Sequence, residues 1–195
     1  MSRGFLMLSL LSLLGRPLAA GPLVEALKAR QSKLDAILAR HPGELPPAEK
    51  DKLGRILTET LDFREMGKAA LGAEWDRRSD AERTHYLKAF EDLLRASLLR
   101  KPDIYRVNDV QYGPEKLEAG AGRVLTTVRS KDATTEVEYE FLGSAGQWRI
   151  VDYKLDGVST VRNYRSQFAK ILAKSGWAGL LDRLRKRASE IAAET

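Results

Sequence analysis

Apolar positions recur at helical spacing through the first half of the chain and shift to strand spacing from about residue 104. They return to the helical period near the C-terminus. Leu23, Leu27, Leu34, Ile37 and Leu38 form a first stripe, broken by one charged member, Arg30, and ended by His41-Pro42-Gly43. Pro46-Pro47 opens a second helix, because a fixed φ and a missing N–H cost nothing in a first turn, and Leu53, Ile56, Leu57 and Leu61 mark its buried side. Phe63, Met66, Ala70, Leu71 and Trp75 predict a short third helix, with Gly67 and Gly72 allowing close approach. Ser79-Asp80-Ala81-Glu82 is a capping-box pattern. It starts a helix with Tyr86, Phe90, Leu93, Leu94 and Ser97 on one side, closed by Lys101-Pro102-Asp103.

Strands are expected near 104–112, 122–130, 134–142 and 147–156. The third alternates most sharply, with Val137, Tyr139 and Phe141 against Glu136, Glu138 and Glu140. A turn centred on Asp132-Ala133 places Val128 opposite Val137 and Arg129 opposite Glu136. A turn on Ser144-Ala145 places Phe141 opposite Trp148, Tyr139 opposite Ile150 and Glu140 opposite Arg149. Both registers gather the charges on one face and leave the other apolar. Past Gly157, the residues Val161, Tyr164, Phe168, Ile171 and Leu172 restore the helical period up to a stop at Ser175-Gly176. Trp177, Leu180, Leu181, Leu184, Ala188 and Ile191 make the last stripe. Helices, a four-strand meander and helices again predict an α+β fold, an antiparallel sheet covered on its apolar face.

A length of 195 residues and 43% hydrophobic content suit one domain with a substantial core. At the N-terminus, Arg3 precedes an apolar run from Phe5 to Leu14, and Leu18-Ala19-Ala20 offers small residues for cleavage, which predicts an export signal over residues 1–20 and a single domain over 21–195. A membrane anchor fits less well, because the run is broken by Gly15, Arg16 and Pro17 well short of the roughly 20 residues a span requires. Cysteine is absent, so neither a disulfide framework nor a lipid-anchoring thiol is available. The net charge is +6; losing Arg3 and Arg16 with the signal leaves 31 basic against 27 acidic residues, or +4. Arg183, Arg185, Lys186 and Arg187 contribute much of it near the C-terminus, where a solvated helix face is the simplest reading.

Few residues suggest catalysis. His41 and His85 share no ligand-like spacing, and no metal ligand set is legible. Asp152 stands out because the expected register puts it beside Trp148 and Ile150, where a carboxylate needs a partner. Arg162 or Arg165 are the expected ion-pair partners; the alternative is a general base in a cavity enzyme of the NTF2-like type. Asp156 is expected to cap the turn at Gly157. The aromatics fall on core faces rather than among the arginines, so nucleic acid is a poor fit.

The run Trp148-Arg149-Ile150-Val151-Asp152-Tyr153-Lys154-Leu155-Asp156-Gly157-Val158-Ser159, followed by Asn163-Tyr164-Arg165-Ser166-Gln167-Phe168 and the Gly176-Trp177-Ala178-Gly179-Leu180-Leu181 turn, resembles the MlaC/Ttg2D family. Phe63-Arg64-Glu65-Met66-Gly67 and Tyr86-Leu87-Lys88-Ala89-Phe90 extend the likeness upstream. The resemblance implies a periplasmic phospholipid-binding protein with a curved antiparallel sheet, reminiscent of NTF2-like folds, whose helices close an apolar cavity. It implies no enzymatic activity and no cofactor beyond a bound phospholipid. The implied partners are an inner-membrane ABC transporter complex with its substrate-binding membrane subunit and an outer-membrane lipoprotein complex. Joining that implication to the apolar faces gives Val128, Tyr139, Trp148, Ile150, Val161, Tyr164 and Phe168 as candidate lining residues. Arg165, at the edge of the last sheet-facing stripe, is the candidate for gripping a headgroup phosphate.

Overall fold

The computed structural model describes residues 20–131, 133–144 and 147–194. The expected export signal, apart from Ala20, lies outside the described residues, as do Asp132 and Ala145 at the two expected turn centres. Four helices come first: α1 (Pro22–Leu38), α2 (Pro47–Thr58), α3 (Phe63–Leu71) and α4 (Asp80–Leu99). The strands β1 (Asp109–Tyr112), β2 (Lys116–Glu118), β3 (Ala121–Arg129), β4 (Thr134–Leu142), β5 (Arg149–Leu155) and β6 (Val158–Ser159) follow, and α5 (Thr160–Ala193) completes the chain. No described helix is long and apolar enough to cross a membrane.

Local chemistry explains most boundaries. Pro47 occupies the first turn of α2, and the Asp62 carboxylate opens α3 by accepting from Glu65 N at 2.9 Å. The capping box of α4 forms as expected: Ser79 Oγ accepts from Glu82 N at 3.3 Å, and the Glu82 carboxylate accepts from Ser79 N at 2.8 Å. Leu61 is not part of α2; it lies beyond the helix in an isolated parallel bridge with Ile150, where Thr60 O accepts from Ile150 N at 2.8 Å and Asp62 N donates to Ile150 O at 2.9 Å.

Among the described residues the sheet has six strands rather than four, ordered β1-β3-β4-β5-β6, with β2 also pairing on β3. The first expected strand is shorter because Pro102–Tyr105 form a 3-10 turn, and Gly113-Pro114 divides its continuation from β2. Asp156 and Gly157, at φ 47° and 81°, form the two-residue turn that adds β6, and the Asp156 carboxylate accepts from Glu136 N. Pairing of β3 with β4 sets Thr126 against Val137 and Val128 against Thr135, two residues from the expected register. Because side chains alternate with a period of two, that slip leaves every residue on its expected face.

Between β4 and β5 the outcome differs. Phe141 pairs with Ile150 and Leu142 with Arg149, but beyond a bulge Glu140 pairs with Asp152 and Tyr139 with Tyr153, leaving Val151 without a partner. One extra residue inverts the alternation downstream. A two-residue slip from the expected register, plus this extra residue, makes Tyr153 rather than Ile150 the neighbour of Tyr139. The expected Glu140–Arg149 and Arg129–Glu136 pairings do not form: Arg129 meets Asp109 at 3.4 Å, and Arg149 donates to the Glu59 carbonyl. Lys154 supplies the charge pairing instead, 2.5 Å from Glu138 and 2.7 Å from Glu140. Those hydrogen bonds hold the Lys154 ammonium above its ordinary range and Glu138 below the usual carboxylate range.

The helices pack on the opposite face, where Tyr86, Phe90, Tyr164, Phe168 and Trp177 form an aromatic stack with centroids 5.4–6.1 Å apart. The long helix α5 is broken at Gly176, whose φ of 66° and ψ of −168° are not helical, in agreement with the expected stop at Ser175-Gly176. The start of α5 is held from β5. Asp152 is buried; its Oδ2 accepts from Ser159 Oγ at 2.5 Å and its Oδ1 from Val161 N at 3.0 Å. Ser159 Oγ in turn accepts from Arg162 N at 3.0 Å. The side chains of Arg162 and Arg165, the expected partners, play no part, because the orphan donors of a helix N-terminus already satisfy the carboxylate.

Two stability changes follow from these junctions. Open space surrounds Gly176, so Gly176→Ala tests backbone strain alone and is expected to cost about 1–3 kcal/mol in denaturant unfolding. Asp152→Ala removes two buried acceptors and is expected to cost on the order of 2–4 kcal/mol, whereas Asp152→Asn keeps one acceptor for Val161 N and should cost less than half of that. Equal losses for Ala and Asn in the same unfolding experiment would contradict the capping account.

Candidate functional site

The core is in two parts, and α1 spans both. Leu23, Val24 and Leu27 belong to a large cluster with the sheet, α3, α4 and α5; Leu34, Ile37 and Leu38 belong to a smaller one with Leu45, Leu53 and Leu57. Arg30 sits in the same stripe at the point where the helix passes from one cluster to the other. The half-buried guanidinium marks the change from one cluster to the other, and Leu98 of α4 packs against both.

Polar groups hold α1 at both ends. The Glu115 carboxylate accepts from Leu23 N at 2.9 Å and Val24 N at 3.1 Å, meeting the positive end of the helix. At the other end Arg106 donates to Leu38 O at 2.9 Å, His41 O at 2.5 Å and Gly43 O at 2.9 Å. Midway, Arg30 Nη2 donates to the Tyr139 hydroxyl at 3.2 Å, and its guanidinium lies 5.3 Å from the Tyr139 ring centroid.

Tyrosines line this seam. The Tyr139 phenol bears on the ionisation of Tyr105, Tyr112 and Tyr153, and Arg30 on that of Tyr105 and Tyr112, so these groups converge between α1, β1, β4 and β5. Burial pushes the phenols of Tyr105, Tyr112 and Tyr153 above the ordinary tyrosine range. Tyr105 donates to Leu98 O at 2.9 Å, and Tyr153 shares a hydrogen bond with Thr160 at the start of α5. Tyr164 is felt by Tyr153, extending the row of phenols from α1 to α5. An arrangement of ring faces with hydroxyls at their edges suits an amphiphile, apolar along its length and polar at one end.

The sequence-selected residues divide among three settings. Val128, Tyr139, Trp148 and Tyr164 are half-buried, and Tyr139 lies in the seam itself. Ile150, Val161 and Phe168 are closed inside the large cluster. Arg165 is exposed; its Nε donates to Ala69 O at 2.7 Å and its side chain lies over Gly72, beside a surface recess of about 280 Å³ that also contains Glu65, Lys68 and Asp76. A second recess, of about 410 Å³, is lined by Glu44, Lys50, Arg100, Asp103 and Glu194 among others. Asp152, the candidate base, has both oxygens engaged at the α5 start. Sequence reasoning missed Tyr105, Tyr112 and Tyr153 as site residues. The signal for the seam was Arg30, a charge at an apolar stripe position; the signal for Tyr153 was hidden by the bulge.

Among the described residues, Tyr86, like Tyr105 and Tyr153, is raised by burial. A group whose folded pKa exceeds its unfolded value binds more protons when folded, so its contribution is complete below about pH 10 and is lost as pH rises beyond. Stability is therefore expected to fall above about pH 10, and ultraviolet difference absorbance of tyrosinate should show these phenols ionising only with unfolding. Their reversible titration near pH 10 in the folded protein would refute this.

The family model described as "MlaC protein" matches residues 28–186. The toluene tolerance protein ttg2D of Pseudomonas putida is 22% identical, the match covering 69% of this chain and 68% of that protein. A solved structure of the phospholipid-binding protein from Ralstonia solanacearum, in complex with a phospholipid, superposes with a TM-score of 0.74 at 20% identity, covering 89% of this chain and 99% of that one. The fold is thus shared with a protein in which a phospholipid is bound. With most of its length, from α1 into the second half of α5, matched by the family model, this chain belongs to the MlaC family.

Proposed function

We propose that the chain, after removal of residues 1–20, is a one-domain periplasmic carrier that binds phospholipid along the seam between its two core clusters. The phospholipid held by the Ralstonia solanacearum protein is the observation that carries this reading, because the two chains share a fold across nearly their whole lengths. The divided core supports it, since separating two packed clusters exposes apolar walls without unfolding either one. Tyr139 contributes the wall beside Arg30, and Val128, Trp148, Ile150, Val161, Tyr164 and Phe168 are proposed as the further apolar lining. Arg165 is assigned instead to holding the end of α3.

Energetics make a carrier necessary and chemistry unnecessary. Moving an acyl chain of about 15 carbons into water costs on the order of 10 kcal/mol at roughly 0.8 kcal/mol per CH₂. A protein interior as apolar as a bilayer removes most of that barrier and leaves the direction of transfer to the donor and acceptor. The proposed partners, between which the lipid passes, are an inner-membrane ABC transporter complex with its substrate-binding membrane subunit and an outer-membrane lipoprotein complex. The carrier itself performs no reaction and needs no cofactor other than its lipid cargo.

Protein exported to a bacterial periplasm and purified without detergent is expected to release near-stoichiometric phospholipid on chloroform–methanol extraction, identified by mass spectrometry. Lipid-free protein in every preparation, with no uptake from phospholipid vesicles, would remove the basis for this function.

A further inference from the structure

Arg30 is the one charged residue in the apolar stripe of α1, and the pattern of its contacts is incomplete. A guanidinium carries five N–H donors, yet among the described residues Arg30 makes one hydrogen bond, to a neutral phenol, and no ion pair. Arg106, at the end of the same helix, shows the contrast: it donates to three carbonyls and to the Asp103 carboxylate. Asp35, one turn further along α1, is exposed and already accepts from Gln31 at 2.9 Å.

The partner of Arg30 is also half-used. Tyr139 Oη accepts from Arg30, which leaves its own O–H available to donate to an acceptor beside the same guanidinium. A half-buried cation over the Tyr139 ring and a phenol donor, with Tyr153 beside Tyr139 in the sheet, make a site selective for an anion with several oxygens. Neither surface recess offers this: Arg165 and Lys68 share theirs with Glu65 and Asp76, and Lys50 and Arg100 share theirs with Glu44, Asp103 and Glu194.

We propose that Arg30, with the Tyr139 hydroxyl, binds the phosphate of a phospholipid whose acyl chains enter the seam, so that α1 carries the headgroup site and the two core clusters carry the tails. This rests on the phospholipid-binding reading above. A phosphate exchanges the neutral phenol for a bidentate, charge-assisted partner, which a guanidinium forms better than an ammonium. Placing the charge where the clusters part also orients the lipid, since only the headgroup end gains by lying there.

The test uses delipidated full-length mature protein titrated with short-chain phosphatidylglycerol, with the matched diacylglycerol lacking phosphate, and with inorganic phosphate. The protein is expected to prefer the phospholipid to the diacylglycerol by roughly ten- to hundredfold. Arg30→Met should abolish that preference, read as the ratio of the two affinities in the same variant; Arg30→Lys should keep part of it, and Tyr139→Phe should lose a smaller, roughly threefold to tenfold share. If Arg30→Met fails to fold, the Arg30→Lys and Tyr139→Phe pair decides, because unchanged preference in both overturns the site. Unchanged preference in a folded Arg30→Met does the same. Binding of neither lipid by the unaltered protein overturns the carrier function together with this site. Equal affinity for inorganic phosphate and the phospholipid would make Arg30 a free-anion site and overturn its assignment to lipid.

Discussion

A single extra residue in β5 governs how the sheet meets the helices. With Val151 unpaired, Ile150 faces Phe141 while Tyr153 faces Tyr139, so an aliphatic residue and a phenol from the same strand both reach the interior. The inversion also lets Lys154 stand between Glu138 and Glu140 on the opposite face. Asp152, next to the bulge, comes under the first turn of α5 and anchors it through Ser159 and Val161 N. Without the bulge the alternation would put Asp152 on the apolar face and Tyr153 on the charged one. The tyrosine row, the charge ladder and the seating of α5 depend on the same irregularity.

The second constraint is the division of the core. Apolar burial at roughly 25 cal/mol per Å² favours one continuous mass, and a helix with an unbroken stripe would supply it. Arg30 interrupts the stripe of α1 midway, and the helix is positioned instead by charges at its ends, Glu115 on the N–H groups and Arg106 on the carbonyls. Such ties are directional and exchangeable, unlike interdigitated aliphatic packing. The aromatic stack of Tyr86, Phe90, Tyr164, Phe168 and Trp177 keeps α4 and α5 closed, so the proposed opening is confined to the α1 side.

Membership of the MlaC family fixes the fold and the expectation of an amphiphilic ligand, while the geometry refines where that ligand is proposed to lie. Reading the sequence for apolar faces placed the ligand between the sheet, through Val128, Tyr139, Trp148 and Ile150, and the helices, through Val161, Tyr164 and Phe168. In the structure Ile150, Val161 and Phe168 are closed in the core and Tyr164 packs edge-on against Phe90 at 5.4 Å. The half-polar seam beside α1 is the better match to a molecule with one charged end.

Local chemistry determined much of this protein directly. Pro46-Pro47, the Ser79–Glu82 box and Ser175-Gly176 fix helix boundaries through interactions within a few residues, and the glutamates of β4 fix which face is wet because alternation survives a two-residue slip. The α+β layering follows from the order of those periods. What escaped was decided between distant segments. The bulge in β5 falls beside Ile150, which is held by Thr60 and Asp62 from far upstream in the chain, a contact that no local period records. Arg30 was visible as a break in a stripe, yet its meaning required Tyr139, 109 residues away, to be brought beneath it. The fate of Asp152 turned in the same way on the arrival of the α5 N-terminus, whose donors satisfy the carboxylate more closely than either arginine expected from sequence. Backbone propensity and side-chain period act over one or two turns; the pairing of strands and the satisfaction of buried charge are set only when the whole chain has closed.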